Sequence, residues 1–253
     1  MKNFLRRFNP VINIYTFLVF FTLNFKISHC INIFWYIGNY LEITKGVRNE
    51  MFANVKCYPC LNDKTSDTPV DPTYFYQDTW AARKIFEIKP DMHFDVGSSV
   101  KTIGILSQFV PITMIDIRPL PISLQNLVFI HGSILNIPLA DNSISTISSL
   151  CVVEHIGLGR YGDPIDNFGS EKSIAELKRV VKSDGIVIIS VPVDCENTIY
   201  FNAHRAFTRQ YILSLFNGFI LIEEKYQYKY ELIDSYSPDR GFGTGMFMFK
   251  KLS

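Results

Sequence analysis

The stretch that most constrains how this 253-residue chain can fold is His93-Phe94-Asp95-Val96-Gly97-Ser98-Ser99. A short apolar segment follows a Lys89-Pro90 break, ends on a carboxylate and turns at once through one glycine and two serines. Apolar residues then recur with helical spacing at Val100, Ile103, Leu106 and their neighbours Ile105 and Phe109. Strand, tight glycine turn and helix open a doubly wound α/β fold, whose ligands sit beyond the carboxyl ends of the strands. About twenty residues on, Thr113-Met114-Ile115-Asp116 reads as a second strand that also ends on an acid. An acid at that tip offers two acceptor oxygens to the two hydroxyls of a ribose. Asp95, Gly97 and Asp116 therefore mark one candidate nucleoside site.

The composition removes some classes of function. With 25 basic and 24 acidic residues the net charge is +1, which leaves no concentrated basic footprint for nucleic acid. The five cysteines are irregularly spaced and do not make a secreted disulfide framework. Cys57-Tyr58-Pro59-Cys60 is half of a zinc or redox motif. No second pair stands at ligand spacing, so it reads as two unlinked thiols and no metal is expected.

Residues 1–43 read as a hydrophobic and amphipathic appendage. Lys2, Arg6 and Arg7 precede an apolar run over 11–25. As a helix that run spans about 22 Å, short of the roughly 30 Å of a bilayer's hydrocarbon. From Lys26 onward the polar residues His29, Asn32, Tyr36 and Asn39 recur at helical spacing among Ile27, Ile31, Phe34, Trp35 and Leu41. That pattern suits a helix lying in a membrane interface. A helix packed against the protein's own core and a cleaved secretory signal are the alternatives, although no small-x-small cleavage site follows the run. The basic start belongs on the cytoplasmic side, so the expectation is a cytoplasmic protein attached to the inner face of a membrane. Residues 44–71, rich in turn formers, read as a linker, and 72–253 as the globular domain.

Within that domain a helix begins at Pro72, with Gln77 and Trp80 as candidates to overhang a cofactor mouth. A third strand over 127–130 turns out through His131-Gly132-Ser133, and a fourth over 144–153 delivers Glu154 and His155. The next nine residues, 156–164, contain three glycines, Arg160, Tyr161, Asp163 and a proline. Loops at this edge of an α/β sheet carry chemistry. A helix over 170–181 is expected to be capped by Ser170 or Ser173 and to stop at a left-handed Gly185. A buried fifth strand over 186–191 follows, then Asn202-Ala203-His204-Arg205 and a helix. Runs at 219–223 and 245–249 close the chain as an antiparallel pair.

In this order the pieces resemble the class I S-adenosylmethionine-dependent methyltransferases over residues 72–253. The narrower likeness is to a methyltransferase-like family of unknown function found in nematodes and in bacterial surface-polysaccharide gene clusters. It is carried by Tyr74-Phe-Tyr-Gln-Asp, Trp80-Ala-Ala-Arg-Lys, His93-Phe-Asp-Val-Gly-Ser, Met114-Ile-Asp-Ile-Arg-Pro-Leu, the Glu154-His155 to Asp163-Pro164 run and Asn202-Ala-His-Arg. The resemblance implies a Rossmann-like, doubly wound, seven-stranded sheet, parallel except for a reversed last strand. It implies S-adenosylmethionine as cofactor, with the methionine part near Asp95, Gly97 and Ser98, the ribose at Asp116 and the adenine at Ser133. The turn carries serines where the family pattern has further glycines, and Ser133 stands where an acid is common.

Methyl transfer is an in-line displacement that mainly needs an aligned acceptor and, for a hydroxyl or amine, a base. His155 is the first candidate for that base and His204 the second, with Asp163 to orient either one. Arg160, Arg205 and Tyr161 suit a phosphate or carboxylate on the substrate. Glu154 reads as a loop-bracing acceptor. The resemblance points to a small or lipid-linked glycan intermediate as acceptor. Two rivals stand beside this reading. One is a catalytically degenerate scaffold of polysaccharide assembly. The other is a nicotinamide-dependent oxidoreductase, disfavoured by the missing Gly-x-Gly-x-x-Gly.

Overall fold

The computed structural model describes residues 27–46, 51 and 55–253. The chain divides into two compact units, residues 1–69 and 70–253. In the first, helix α1 spans Ile27–Lys45. Asn32 Nδ2 donates to the Leu61 carbonyl at 2.7 Å, and the Lys64 ammonium lies 4.8 Å from the Trp35 ring centre, so a following loop is held on this helix. Phe34 and Ile43 are exposed on it. No described helix is long and apolar enough to cross a membrane. The part of the expected appendage over residues 1–26 lies outside the described residues.

The second unit is built on one large sheet. Its strands are β1 His93–Val96, β2 Ile112–Asp116, β3 Leu127–His131, β4 Ile144–Leu150, β5 Val181–Val193, β8 Phe219–Tyr228, β9 Glu231–Ile233 and β10 Gly243–Lys251. The spatial order is β3-β2-β1-β4-β5-β10-β8-β9. Strands β1 to β5 pair in parallel, while β10 runs antiparallel to both β5 and β8. The seven strands with a reversed last one are all present, and short β9 adds an eighth at the edge. A separate ribbon of β6 Thr198–Tyr200 and β7 His204–Ala206, which no sequence pattern announced, precedes the last helix.

Helices α2 Pro72–Ile88, α3 Val100–Leu106, α4 Gly169–Val180 and α5 Arg209–Leu215 cover the sheet. Alternation along β5 divides the core. Val187 and Ile189 pack with Leu177 of α4 and Phe216, whereas Ile188 between them packs with Trp80 of α2 and Ile103 of α3. Both faces being covered explains why β5 reads as an unbroken apolar run. Strand order reverses about β1, so β1 and β4 diverge at their tips and leave the crevice where α/β folds bind ligands.

Two local expectations are corrected. Neither Ser170 nor Ser173 caps α4. Phe168 is the N-cap, and the two hydroxyls donate instead to the carbonyls of Val153 and Gly169. Gly185 is not the left-handed residue either, because Asp184 takes that conformation at φ 62. Glycine is needed at 185 for space, since a Cβ there would lie 2.5 Å from Val181 Cγ1 and 2.9 Å from the Ser145 carbonyl. This is the bulge where the β4–β5 pairing jumps from Val181 to Ile186. Gly185→Ala should therefore cost about 1–3 kcal/mol in urea denaturation, as overpacking does, whereas a glycine serving only as a left-handed residue would be replaced by asparagine at little cost.

Candidate active site at the strand tips

The turn after β1 is held from beneath by a buried polar network. Asp95 is wholly buried. Its Oδ1 accepts from the Ser98 amide at 3.1 Å, and its Oδ2 accepts from the hydroxyls of Ser98 (2.6 Å) and Ser148 (2.5 Å). Because the Ser148 proton goes to Asp95, His93 Nε2 must donate to Ser148 Oγ, 2.9 Å away. The Ser98 hydroxyl also accepts from the Leu150 amide at 2.9 Å. Burial pushes the Asp95 carboxyl up to about 6 against the pull of these donors, and burial alone takes His93 down to about 3. Asp95 and Ser98 were expected to touch the cofactor. Instead their side chains tie β1, β4 and the turn together; Asp95 borders neither chamber, while Gly97, Ser98 and Ser99 border the cleft. Gly97 sits at φ 73, and a Cβ on it would lie 3.0 Å from Val152 Cγ1.

Above this turn lies a cleft of two chambers. The inner one, about 250 Å³, is walled by Ile115, Ile134 and Val152, with Asp116 and Ser133 at its polar edge. The outer one, about 470 Å³, is bordered by Tyr74, Ser98, Glu154, Arg160, His204 and Phe242. Gly97, Asp116, Arg118, Cys151, His155 and Tyr161 border both, so the chambers are continuous. Asp116, at the tip of β2, accepts the Arg118 amide at 2.8 Å on Oδ1. The Ser133 hydroxyl accepts from the Leu135 amide at 3.2 Å and keeps its proton for a ligand. Tyr161 roofs the cleft, with the Arg118 and Arg160 guanidinium groups 5.1 and 5.3 Å from its ring centre and the His155 ring edge-on at 5.7 Å.

His155 ends the short 3₁₀ turn Val153–His155 that follows β4. Its Nδ1 lies 2.6 Å from the Ala203 carbonyl, which can only accept, so Nδ1 carries the hydrogen and Nε2 the lone pair. Burial, with Arg160 and His204 nearby, holds His155 down at about 4, and burial also lowers His204. Both imidazoles are neutral at pH 7. His204 stacks obliquely between Tyr200 and Phe242 at 5.2 Å from each.

Two expected site residues are structural. Asp163 orients neither histidine, because it accepts the amides of Gly157 (2.6 Å) and Tyr161 (3.2 Å) and thereby shapes the glycine loop. Arg205 is buried and donates to the Ile156 and Asp166 carbonyls and to Ser170 Oγ, so it pins the loop's far end and borders neither chamber. Gln77 and Trp80 do not overhang the mouth. Gln77 accepts from Ser190 and Cys151 behind the floor, and Trp80 donates to Glu223. Sequence reasoning missed Arg118, Tyr74 and Phe242, although Arg118 stands two residues past the Asp116 it flanks.

Glu154 stays within its own turn, where its own amide and the Cys151 thiol pull its carboxyl down against burial. It is 1 % exposed, its Oε1 lies 3.6 Å from His155 Nε2, and its Oε2 has no hydrogen-bond partner among the described residues. Burial pushes its carboxyl up to about 8.

The comparisons with known proteins agree with this architecture. Residues 136–238 match the family described as Caenorhabditis protein of unknown function, DUF268. No functionally curated protein sequence matches the chain significantly. Among solved structures, a Galdieria sulphuraria protein assigned as a sarcosine dimethylglycine methyltransferase superimposes with a TM-score of 0.53 at 17% identity, over 70% of this chain and 86% of that one. The N-methyltransferase NodS of Bradyrhizobium japonicum, crystallised with S-adenosyl-L-homocysteine, gives 0.52 at 12% identity over 72% and 89%. The [4+2]-cyclase SpnF gives 0.51 at 13% over 69% and 81%. The fold is that of the class I S-adenosylmethionine-dependent methyltransferases.

The raised Glu154 and lowered histidines give a definite pH dependence of stability. His93 and His155 weaken the fold as pH drops below their unfolded value of 6.5, because the unfolded chain then binds more protons. Glu154 has the opposite sign, and its contribution is lost as pH rises from 4.5 to about 8. Between pH 6.5 and 8 only Glu154 of this set still differs between folded and unfolded chains, so stability should fall by about 1–2 kcal/mol across that interval. Urea denaturation at several pH values should show this slope in the wild type and its disappearance in Glu154→Gln.

Proposed function

We propose that this protein is an S-adenosylmethionine-dependent methyltransferase that acts on a small acceptor held in the outer chamber. The observation that carries the reading is that Asp116 and the bare backbone of Gly97 open onto one continuous cleft at the tips of β1, β2 and β4. The residues present fit the cofactor. The inner chamber offers an apolar slot for a purine, with Ser133 at its edge and Asp116 placed for a ribose diol. Gly97 leaves room for the close backbone approach that any larger residue would fill. When bound, the cofactor supplies a methyl carbon on a positively charged sulfur, whose bond breaks with its electron pair as the bond to the acceptor forms.

The chain's own part is to exclude water, align the acceptor and hold a proton. Tyr161 with its two flanking arginines closes the roof, and Tyr74 and Phe242 line the acceptor side. His155, neutral with its lone pair on Nε2, and His204 are the imidazoles within this chamber. Arg160 donates to the Ala203 carbonyl at 3.0 Å and keeps further N–H groups for an anionic part of the acceptor. A lipid-linked glycan intermediate remains the acceptor class the family likeness offers, and no residue of the cleft selects it over another small molecule.

Calorimetric titration tests the reading. The wild type should bind S-adenosylmethionine and S-adenosylhomocysteine but not NAD, and Asp116→Ala should weaken both by about tenfold or more, the loss of a charge-assisted hydrogen bond pair. A scaffold with a filled or degenerate cleft would bind neither.

A cytoplasmic location at the inner face of a membrane, reached through residues 1–43, is the accompanying proposal. The exposed Phe34, Trp35 and Ile43 on α1 support it. Deleting residues 1–43 should move the protein from the membrane to the soluble fraction, and full-length protein that stays soluble without detergent would overturn it.

A further inference from the structure

The outer chamber contains a polar atom that the rest of the protein leaves unsatisfied. Glu154 borders the chamber, and its Oε2 is buried with no hydrogen-bond partner among the described residues. A buried carboxyl oxygen left this way costs about 1–3 kcal/mol, so it is a place held for a donor. Two other carboxylates near the chamber are committed. Asp71 accepts the Thr73 and Tyr74 amides as the cap of α2. Asp163 is spent on the loop, and His155 Nε2 lies beside Glu154 Oε1 at 3.6 Å. The Cys151 thiol lies against both Gln77 and the Glu154 carboxyl. Of the carboxyl groups bordering the chamber, Glu154 is the one with a buried oxygen left unpartnered among the described residues.

We propose that Glu154 is the proton acceptor of the reaction, its Oε2 receiving the acceptor's O–H or N–H while its Oε1 rests against the neutral His155. The inference deepens the reading of the cleft as a methyl-transfer site and rests on it. As the acceptor's oxygen or nitrogen forms its bond to the methyl carbon, the carbon–sulfur bond breaks onto sulfur. The proton released by the acceptor passes to Glu154 Oε2, and solvent removes it after product leaves. A base whose proton affinity lies near the working pH suits that task. His155, fixed by its Nδ1 hydrogen bond to the Ala203 carbonyl, borders the same chamber with Nε2 3.6 Å from Glu154 Oε1.

The test needs no knowledge of the natural acceptor. Sinefungin resembles S-adenosylhomocysteine, but an ammonium group stands where the transferable methyl group would be, and that ammonium would meet Glu154. At about pH 8, where Glu154 is half ionised, the wild type should bind sinefungin about tenfold or more tightly than S-adenosylhomocysteine, as an ammonium–carboxylate hydrogen bond allows. Glu154→Gln should bring the two affinities within about twofold while leaving S-adenosylhomocysteine binding near wild type. Glu154→Asp, which keeps the charge, should retain part of the preference and guards against a merely misfolded glutamine variant. A wild type with no preference, or one unchanged in Glu154→Gln, would overturn the assignment of Glu154. A wild type that binds neither nucleoside overturns the methyl-transfer reading itself, so the two failures are told apart.

Discussion

The strand tips are organised by one carboxylate buried beneath the cleft. Asp95 gathers three donors beneath the turn, and two of them, Ser98 and Ser148, belong to different segments. Burying that charge is costly, as its raised proton affinity shows, and it is tolerated only because every donor is in place. The return is positional: the carboxylate locks the tip of β1 to β4, and the ladder from Thr146 through His93 and Ser148 continues the tie down the sheet. With Asp95 occupied below, the turn itself, Gly97 to Ser99, faces the cleft above.

The same division recurs in the loop over 156–164. Asp163 and Arg205 look like catalytic residues in the sequence because they are charged and lie beside histidines. In the structure they hydrogen-bond backbone, Asp163 from within the loop and Arg205 from β7. Gly157 could not carry a side chain there, since a Cβ would lie 2.2 Å from the Asp166 carbonyl. These residues fix the loop's path, and that path leaves His155, Arg160 and Tyr161 facing the cleft.

The fold was legible because its signals are local and periodic: apolar runs, a glycine turn, acids at two strand ends. The placement of Gly97, Asp116, Ser133, His155, Arg160, Tyr161 and His204 around one cleft followed from topology, which puts the ends of parallel strands on one edge. What the sequence could not show was which way each polar side chain is spent. Asp95 and Asp116 are equivalent in pattern, yet one turns inward to serines from β4 and the turn, and the other stays at the cavity. That difference depends on Ser148, fifty-three positions away from Asp95, and no spacing rule reports it. Glu154 was misread for the same reason, because its isolation is a property of its surroundings.

Fold likeness alone does not choose the reaction, since a [4+2]-cyclase shares this architecture with methyltransferases. The electrostatics of the cleft narrow the choice. The cleft already carries the Arg118 and Arg160 guanidinium groups, and two protonated imidazoles in the outer chamber would add to that positive charge. Burial and the Arg160 guanidinium keep both neutral at physiological pH. Arg160 itself leans on the Tyr161 ring and the Ala203 carbonyl, which take up part of its charge. Glu154 is the complementary case, because the environment that holds it neutral when empty would favour its ionised form once a cation enters. In the methyl-transfer reading proposed above, a cleft that becomes more negative as a cationic ligand arrives would favour a sulfonium over its neutral thioether product.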